Sequence, residues 1–165
     1  MKKGKSSSRS SKKPYEQRTD LEKIKAQWTK IAGLHSRDEW SSAIVRAATA
    51  AEIAANFAVR KELLGGRKLE PQFVNSLLRW ANGLDGKLNR LLLPVSGGTK
   101  RHGVFRALKT SAEEINQKRN AVSHQGEFCN IDESKKIIRA TKRFIEALVG
   151  AYKLRFKLKD VPEVD

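Results

Sequence analysis

Residues 44–64, IVRAATAAEIAANFAVRKELL, form an alanine-rich run that restricts the fold of this chain more than any other feature. Alanine has the highest helix propensity, and the run contains no proline or glycine that would interrupt a helix. Its apolar residues occur nearly all the way round a helix, which is typical of a helix surrounded by others. Its small side chains would also let another helix, or a second subunit, approach closely. The run therefore predicts a long central helix in an all-α protein.

Apolar residues spaced by three and four predict further helices on both sides of this run. Asp20 is expected to cap the first helix, and Ser36 with Glu39 has the spacing of a capping box for the central one. Gly65 and Gly66 would end the central helix. The other predicted boundaries are Pro71 in the first turn of a third helix, a fourth helix from about 103 to 122, and Asp132 as the cap of the last. The pattern indicates an up-and-down bundle of about five helices.

The predicted bundle accounts for most of the chain. Residues 1–18 are rich in Ser and Lys, with nothing to bury, and are expected to be a disordered basic tail. The helical domain is expected at 19–157, and residues 158–165 are expected to be a C-terminal tail. A loop is predicted at 94–101, and only 156–161 carries a weak strand pattern.

The charge of the chain indicates the kind of partner it attracts. Against 34 Lys and Arg there are 18 Asp and Glu, a formal net charge of +16. Such a charge raises the local concentration of polyanions, and RNA is the expected partner. The basic tail has two open interpretations, nucleic-acid contact and solubility. The charge alone identifies no particular partner.

The sequence also argues against several classes of protein. Its apolar runs are expected to fall short of the roughly 18 to 20 residues that span a bilayer, and its start lacks the apolar segment of a secretory signal. Its single cysteine, Cys129, cannot form an internal disulfide. No His, Cys or carboxylate cluster has metal-ligand spacing. We therefore expect a soluble, cytoplasmic protein with no membrane contact, metal or cofactor.

The segment that points to chemistry is KRNAVSHQG at 118–126. Arg119 continues, by four residues, an apolar helix stripe that ends at Ile115, where a core helix normally carries Leu or Ile. A guanidinium on such a face needs an anionic partner or a water-filled cleft. Asn120 follows it directly, and His124 lies five residues after it at the end of the helix, next to Gly126.

This R-N-x-x-x-H segment, the alanine-rich helix with an internal Glu52 and the final amphipathic helix resemble the HEPN superfamily over roughly residues 20–155. The resemblance implies a metal-independent endoribonuclease, of the kind found in toxin–antitoxin, phage-defence or RNA-processing systems. A cognate antitoxin or another regulatory protein is then an expected partner. Other family members bind RNA without cleaving it. One subgroup has a tyrosine where this chain has Gly126, which argues against regulation of that type.

The residue types suit metal-independent cleavage of RNA. His124 can act as base or acid, and Arg119 can stabilise the charge on the scissile phosphate. Asn120 is expected to orient His124 or hold the phosphate, with Glu52 and Asn56 as supporting residues. Helix positions five apart point about 140° from each other, so the pair is expected to converge only if the helix ends or bends near Ser123.

Cleavage requires two proton transfers, and the chain has one well-placed histidine. The resemblance implies a homodimer that brings two copies of His124 and Arg119 to one cleft. Lys118, Lys135 and Arg139 are the expected contacts to the RNA backbone.

Simpler interpretations of these residues stay open at this point. Arg119 would be a salt-bridge partner of Glu52 or Glu113, and His124 a helix C-cap. Thr49, Glu52, Asn56 and Arg60 form a polar line on the central helix, which would either face solvent or line a cleft. The alternative functions are a non-catalytic RNA-binding HEPN module and a helical protein-interaction domain.

Overall fold

The computed structural model describes residues 13–161, and the described chain is helical with no strands. The predicted all-α bundle is confirmed. The helices are α1 (Asp20–His35), α2 (Trp40–Arg60), α3 (Pro71–Trp80), α4 (Gly83–Lys87), α5 (Leu93–Ser96), α6 (Lys100–Ala107), α7 (Lys109–Gln125) and α8 (Ile131–Gly150). π-Helical turns at Lys61–Gly66 and Leu88–Leu92 extend α2 and connect α4 to α5.

Helix α2 is the centre of the bundle, as its sequence predicts. It packs against α1, α8, α7 and α4. Its alanines are buried throughout: Ala43, Ala47, Ala48, Ala50, Ala51, Ala54, Ala55 and Ala58. The chain's own helices therefore make the close approach that the small side chains permit. The expectation that this surface would also admit a second subunit is wrong, because the alanines are already covered.

The central helical run is also the one segment, among the described residues, that is long and apolar enough to cross a membrane. The apolar runs were expected to fall short of that length. The run is Trp40–Gly66, and 61 % of its most apolar stretch is buried inside the bundle. Burial of this kind is what the core helix of a bundle shows.

Helices α1 and α8 begin with capping boxes slightly earlier than predicted. The hydroxyl of Thr19 accepts a hydrogen bond from the Glu22 N–H at 3.2 Å, and the Glu22 carboxylate accepts one from the Thr19 N–H at 2.6 Å. At α8 the same reciprocal pair consists of Asn130 and Glu133. Asp20 and Asp132 were predicted to cap these helices, but they lie within the first turn of each. An acidic residue there favours the positive end of the helix dipole.

The predicted start of α2 is also corrected. Ser36 closes α1, where its hydroxyl donates to the Gly33 carbonyl at 3.0 Å, and α2 begins at Trp40 without a side-chain cap. Its predicted end is confirmed, because the helical run continues through π-helical geometry to Gly66.

The segment between α3 and α7 is more helical than predicted. Residues 94–101 were expected to form a loop, but α5 and α6 leave only a short turn around Gly97 to Thr99. The predicted helix at 103–122 is divided at Leu108 and extends to Gln125.

The packed chain extends past both predicted domain boundaries. A 3₁₀ turn at Tyr15–Gln17 precedes α1, and the Tyr15 hydroxyl accepts a hydrogen bond from Gln27 at 2.8 Å. At the other end Leu158 is buried, and the Trp28 indole donates to the Lys159 carbonyl at 2.8 Å. Residues 1–12 and 162–165 of the predicted tails lie outside the described chain.

Candidate active site

A polar cavity of about 420 Å³ lies where α2, α4 and α7 meet. Helix α2 contributes the wall formed by Thr49 and Glu52, and the turn before α4 contributes Asn82 and Gly83. From α7 the lining residues are Ile115, Asn116, Arg119, Asn120, His124 and Gln125. The structure therefore brings four of the five predicted catalytic and supporting residues, Arg119, Asn120, His124 and Glu52, to one cavity.

Arg119 and His124 touch each other at this cavity. The Arg119 Nη1 atom lies 3.3 Å from His124 Nε2 and donates to Asn120 Oδ1 at 3.1 Å. Arg119 and Asn120 are half-buried, whereas His124 is exposed. The three side chains of the motif thus form one connected group with its imidazole facing solvent.

The pair was expected to converge only if the helix ends or bends near Ser123, but both residues lie within α7. Helix α7 continues to Gln125, and Gly126 caps it in the left-handed conformation with φ 69°. The N–H groups of Gly126 and Glu127 both donate to the Ala121 carbonyl, the latter at 3.2 Å, and so satisfy a carbonyl in the last turn of the helix. The long arginine side chain, rather than the backbone, crosses the roughly 140° between the two positions.

The contact restricts the role that Nε2 of His124 can take in it. A guanidinium has no acceptor atom, so it forms a hydrogen bond with the imidazole only if Nε2 carries a lone pair. A ring nitrogen in that role at a polar cavity is suited to accept a proton from a bound hydroxyl.

Glu52 faces the cavity but is held by a lysine rather than by Arg119. The Lys87 ammonium donates to Glu52 Oε1 at 2.7 Å. The side chain of Lys87 is only 4 % exposed, whereas that of Glu52 is 35 % exposed on the cavity side. Because a buried ammonium needs an anionic partner, this pair fixes the carboxylate at the cavity wall.

Only part of the polar line on α2 lines a cleft. Thr49 and Glu52 line the cavity, as the cleft interpretation requires. Arg60 pairs with Asp20 of α1 at 2.6 Å, away from the cavity lining. Asn56 is not among the lining residues, and its Oδ1 is buried without a hydrogen-bond partner in the described part of the chain. The structure thus does not bring Asn56, a predicted supporting residue, to the site.

Lys118, predicted to contact RNA, forms ion pairs within the chain. Its ammonium bridges the carboxylates of Glu127 and Glu133, the latter at 2.7 Å, and so connects the end of α7 to the start of α8. These hydrogen bonds raise the pKa of Lys118 above its ordinary value. The same ammonium holds the pKa of Glu133 below its usual range.

Lys135 and Arg139 lie on α8 and line a different cavity, of about 170 Å³, together with His35. The imidazole of His35 is buried, and burial lowers its pKa. The ring packs edge-on against Trp40 with centroids 4.6 Å apart. These residues therefore belong to a part of the surface separate from the Arg119 cavity.

Asn82, Gly83, Asn116 and Lys87 were not predicted as site residues. Asn116 lies one turn before Arg119 on α7, so the helix period alone indicates its position. Gly83 has φ 74°, and a Cβ there would lie 3.8 Å from the Asn116 carboxamide. Sequence spacing contains no signal for Asn82 or Lys87. Asn82 reaches the cavity, and Lys87 reaches Glu52 in its wall, only through the packing of α4 on α2 and α7.

The arrangement combines an imidazole, a guanidinium, carboxamides and one compensated carboxylate around a space large enough for part of a nucleotide. Between residues 13 and 161 no group of three or more His, Cys, Asp or Glu side chains is placed to hold a metal ion. What these groups can do is accept a proton, return it, and stabilise negative charge on a phosphate.

Comparisons of the chain with protein-family models, with curated proteins and with solved structures found no match. Membership of the HEPN superfamily therefore stays a prediction from the sequence motif.

Proposed function

We propose that this protein is a metal-independent endoribonuclease of the HEPN type. The observation that carries the proposal is the 3.3 Å contact between Arg119 Nη1 and His124 Nε2 at the rim of a polar cavity. A phosphate-binding group and a proton acceptor are thereby adjacent, which is the minimum that cleavage at a 2′-hydroxyl requires.

In the proposed reaction a 2′-hydroxyl of RNA replaces Arg119 as the donor to His124 Nε2. The proton passes to that nitrogen as the 2′-oxygen bonds to phosphorus. Arg119, released from the imidazole, holds the phosphate oxygens, on which negative charge increases. The bond from phosphorus to the 5′-oxygen then breaks and that oxygen takes a proton. The products are a 2′,3′-cyclic phosphate and a 5′-hydroxyl.

The charge distribution of the cavity favours a phosphate. Glu52 is the acidic residue in its lining, and Lys87 compensates that charge at 2.7 Å. Because Lys87 offsets the charge of Glu52, the charge of Arg119 gives the cavity lining a net positive charge. The formal net charge of +16 on the chain attracts RNA toward it over longer range.

The proton delivered to the 5′-oxygen is assigned in the proposal to His124 of a second subunit. Each chain has one histidine at the cavity, and a two-fold axis beside it would supply another. The working partners are therefore RNA, a second copy of the chain and, by the family resemblance, an antitoxin or other regulatory protein. We place this activity in the cytoplasm and in a toxin–antitoxin or defence setting.

The test is a comparison of His124→Ala with wild-type protein on mixed RNA in the presence of EDTA. Removing a general acid or base typically lowers the rate by about 10²- to 10⁴-fold, and the variant should lose cleavage to that extent. Circular dichroism should be unchanged, because His124 is exposed at a helix end. End-group analysis of wild-type products should show 2′,3′-cyclic phosphates.

His102→Ala is the matched control, since His102 contacts Ser96 at 3.1 Å and does not line the cavity. Cleavage by this control should equal that of the wild type. If a folded His124→Ala protein cleaves RNA at the wild-type rate, the proposed site is wrong. If the wild type binds RNA but leaves it intact, the protein is an RNA-binding module.

A further inference from the structure

Trp80 is an exposed tryptophan at the end of α3. Its side chain is 60 % exposed, whereas Trp28 in α1 is 4 % exposed and Trp40 is half-buried. Tryptophan is highly buried on average, so an indole left exposed beside a candidate site is a side chain available to contact a ligand. The other side of α3 packs normally, with Val74 and Leu78 in the core.

The position of Trp80 relates it to the candidate active site. The chain turns immediately after it, and Asn82 and Gly83 in that turn line the Arg119 cavity. Two residues of fully extended chain span at most about 7 Å, so the backbone at Trp80 is within that distance of the cavity wall. A nucleotide next to one held in the cavity can therefore reach the indole.

A cationic group accompanies the ring. The Arg90 guanidinium carbon lies 5.5 Å from the indole centroid, within cation–π range. An aromatic ring beside an arginine side chain is an arrangement with which proteins bind unpaired bases and their phosphates. A purely apolar protein partner would not need this charge beside the ring.

We infer that Trp80 stacks on an unpaired base of an RNA strand whose phosphate lies in the Arg119 cavity. The substrate class is then single-stranded RNA, since a base within a duplex is not available to an indole face. This inference rests on the proposed function for the identity of the ligand. Its binding test does not depend on whether the protein cleaves.

The experiment uses the His124→Ala protein, which keeps RNA intact, with unlabelled single-stranded RNA and a duplex of equal length. Stacking should quench the Trp80 fluorescence with the single strand. The same titration of a Trp80→Phe, His124→Ala protein identifies the part of the signal that belongs to Trp80. The duplex should leave that part nearly unchanged.

Affinity gives the second measurement. Loss of one stacked base costs an amount that corresponds to about 5- to 150-fold in Kd, so Trp80→Ala should weaken single-strand binding by that factor. Trp80→Phe should retain part of the affinity. Phe73→Ala is the control, because Phe73 is 53 % exposed on α3 but lies seven residues, or about 10 Å, further from the cavity.

Each outcome decides one question. Equal Kd values for Trp80 and Trp80→Ala proteins, or equal losses on duplex and single strand, would overturn the base-stacking site. A loss as large for Phe73→Ala would also overturn it, because the contact with RNA would then not be specific to the indole beside the cavity. A wild-type protein that binds through Trp80 without cleaving would leave this site standing and remove only the nuclease proposal.

Discussion

Lys87 is the residue whose position is hardest to explain by packing alone. Its ammonium is buried, and a buried ammonium without a partner would lose its charge or destabilise the fold. Glu52 supplies the partner at 2.7 Å, and its own side chain opens to the cavity. In a variant without Lys87, water in the cavity could therefore solvate the Glu52 carboxylate, but it could not neutralise the negative charge of that carboxylate.

We predict that Lys87→Met weakens RNA binding more than it weakens the fold. Methionine fills similar volume, and Glu52 would then place an uncompensated negative charge at the phosphate site. A repulsion of about 1.4 kcal/mol corresponds to a tenfold higher Kd. Fluorescence anisotropy with labelled RNA in the His124→Ala background measures this change.

The matched variant is the double substitution Lys87→Met with Glu52→Gln, which removes both charges. It should recover most of the affinity, because the cavity is again without an excess carboxylate. If the double variant binds RNA no better than Lys87→Met alone, charge compensation is not what Lys87 contributes.

At the scale of the element, α7 holds the motif and its end determines where His124 points. Gly126 caps the helix with φ 69°, and no neighbouring atom lies within 4 Å of where its Cβ would be. A side chain there would meet no steric obstacle, so the backbone conformation alone determines the cost of a substitution.

Gly126→Ala should lower the free energy of unfolding by about 1 kcal/mol, since the left-handed conformation costs L-residues roughly that amount. Gly126→Asn should lose less, because asparagine tolerates this conformation. Urea unfolding followed by circular dichroism measures both.

Gly103→Ala is the control for this series. Gly103 lies inside α6 with ordinary φ and open space around it, so alanine should raise the free energy of unfolding by about 0.5 to 1 kcal/mol. A Gly126→Ala protein stabilised to the same extent would contradict the role given to the cap.

How far sequence reasoning reaches differs between elements. The period of apolar residues predicts α1, α2, α3 and α8 well, because their buried faces are continuous. The caps were assigned to Asp20 and Asp132, although Thr19 with Glu22 and Asn130 with Glu133 have the capping-box spacing. Both acidic residues are good caps by type, and only the reciprocal pair distinguishes the true boundary.

The residues of the candidate site also differ in how well the sequence predicts them. Arg119, Asn120 and His124 are close in sequence, so one motif could predict them together. Asn82 and Lys87 join them through contacts between helices, which no local pattern encodes. Asn56 was predicted because it belongs to the polar line on α2. In the structure the members of that line have different surroundings, since Arg60 pairs with Asp20 of α1.

For the whole molecule, the number of proton transfers remains the argument for two subunits. The α2 alanines cannot form their interface, because the bundle already buries them. We nonetheless expect the active species to be a dimer, in which Arg119 of one chain and His124 of the other act on one phosphate.

Mixing Arg119→Ala and His124→Ala proteins should therefore restore part of the cleavage that each lacks alone. Heterodimers, about half of the mixed population if subunits exchange freely, retain one guanidinium and one imidazole in the shared cleft. They should recover some activity, but less than the wild type, because one of the two proton transfers then lacks its histidine. Sedimentation at the assay concentration measures the mass of the active protein and so shows whether it is a dimer. A fully active wild-type monomer would refute the shared cleft.

The walls of the Arg119 cavity come from positions 48–52, 82–84 and 115–125, three stretches that are far apart along the chain. During synthesis the first two emerge from the ribosome well before the third. No partial product that stops short of residue 125 contains the complete pocket. Under the proposed function, a nascent chain therefore cannot cleave the message that encodes it before residue 125 has been made and packed.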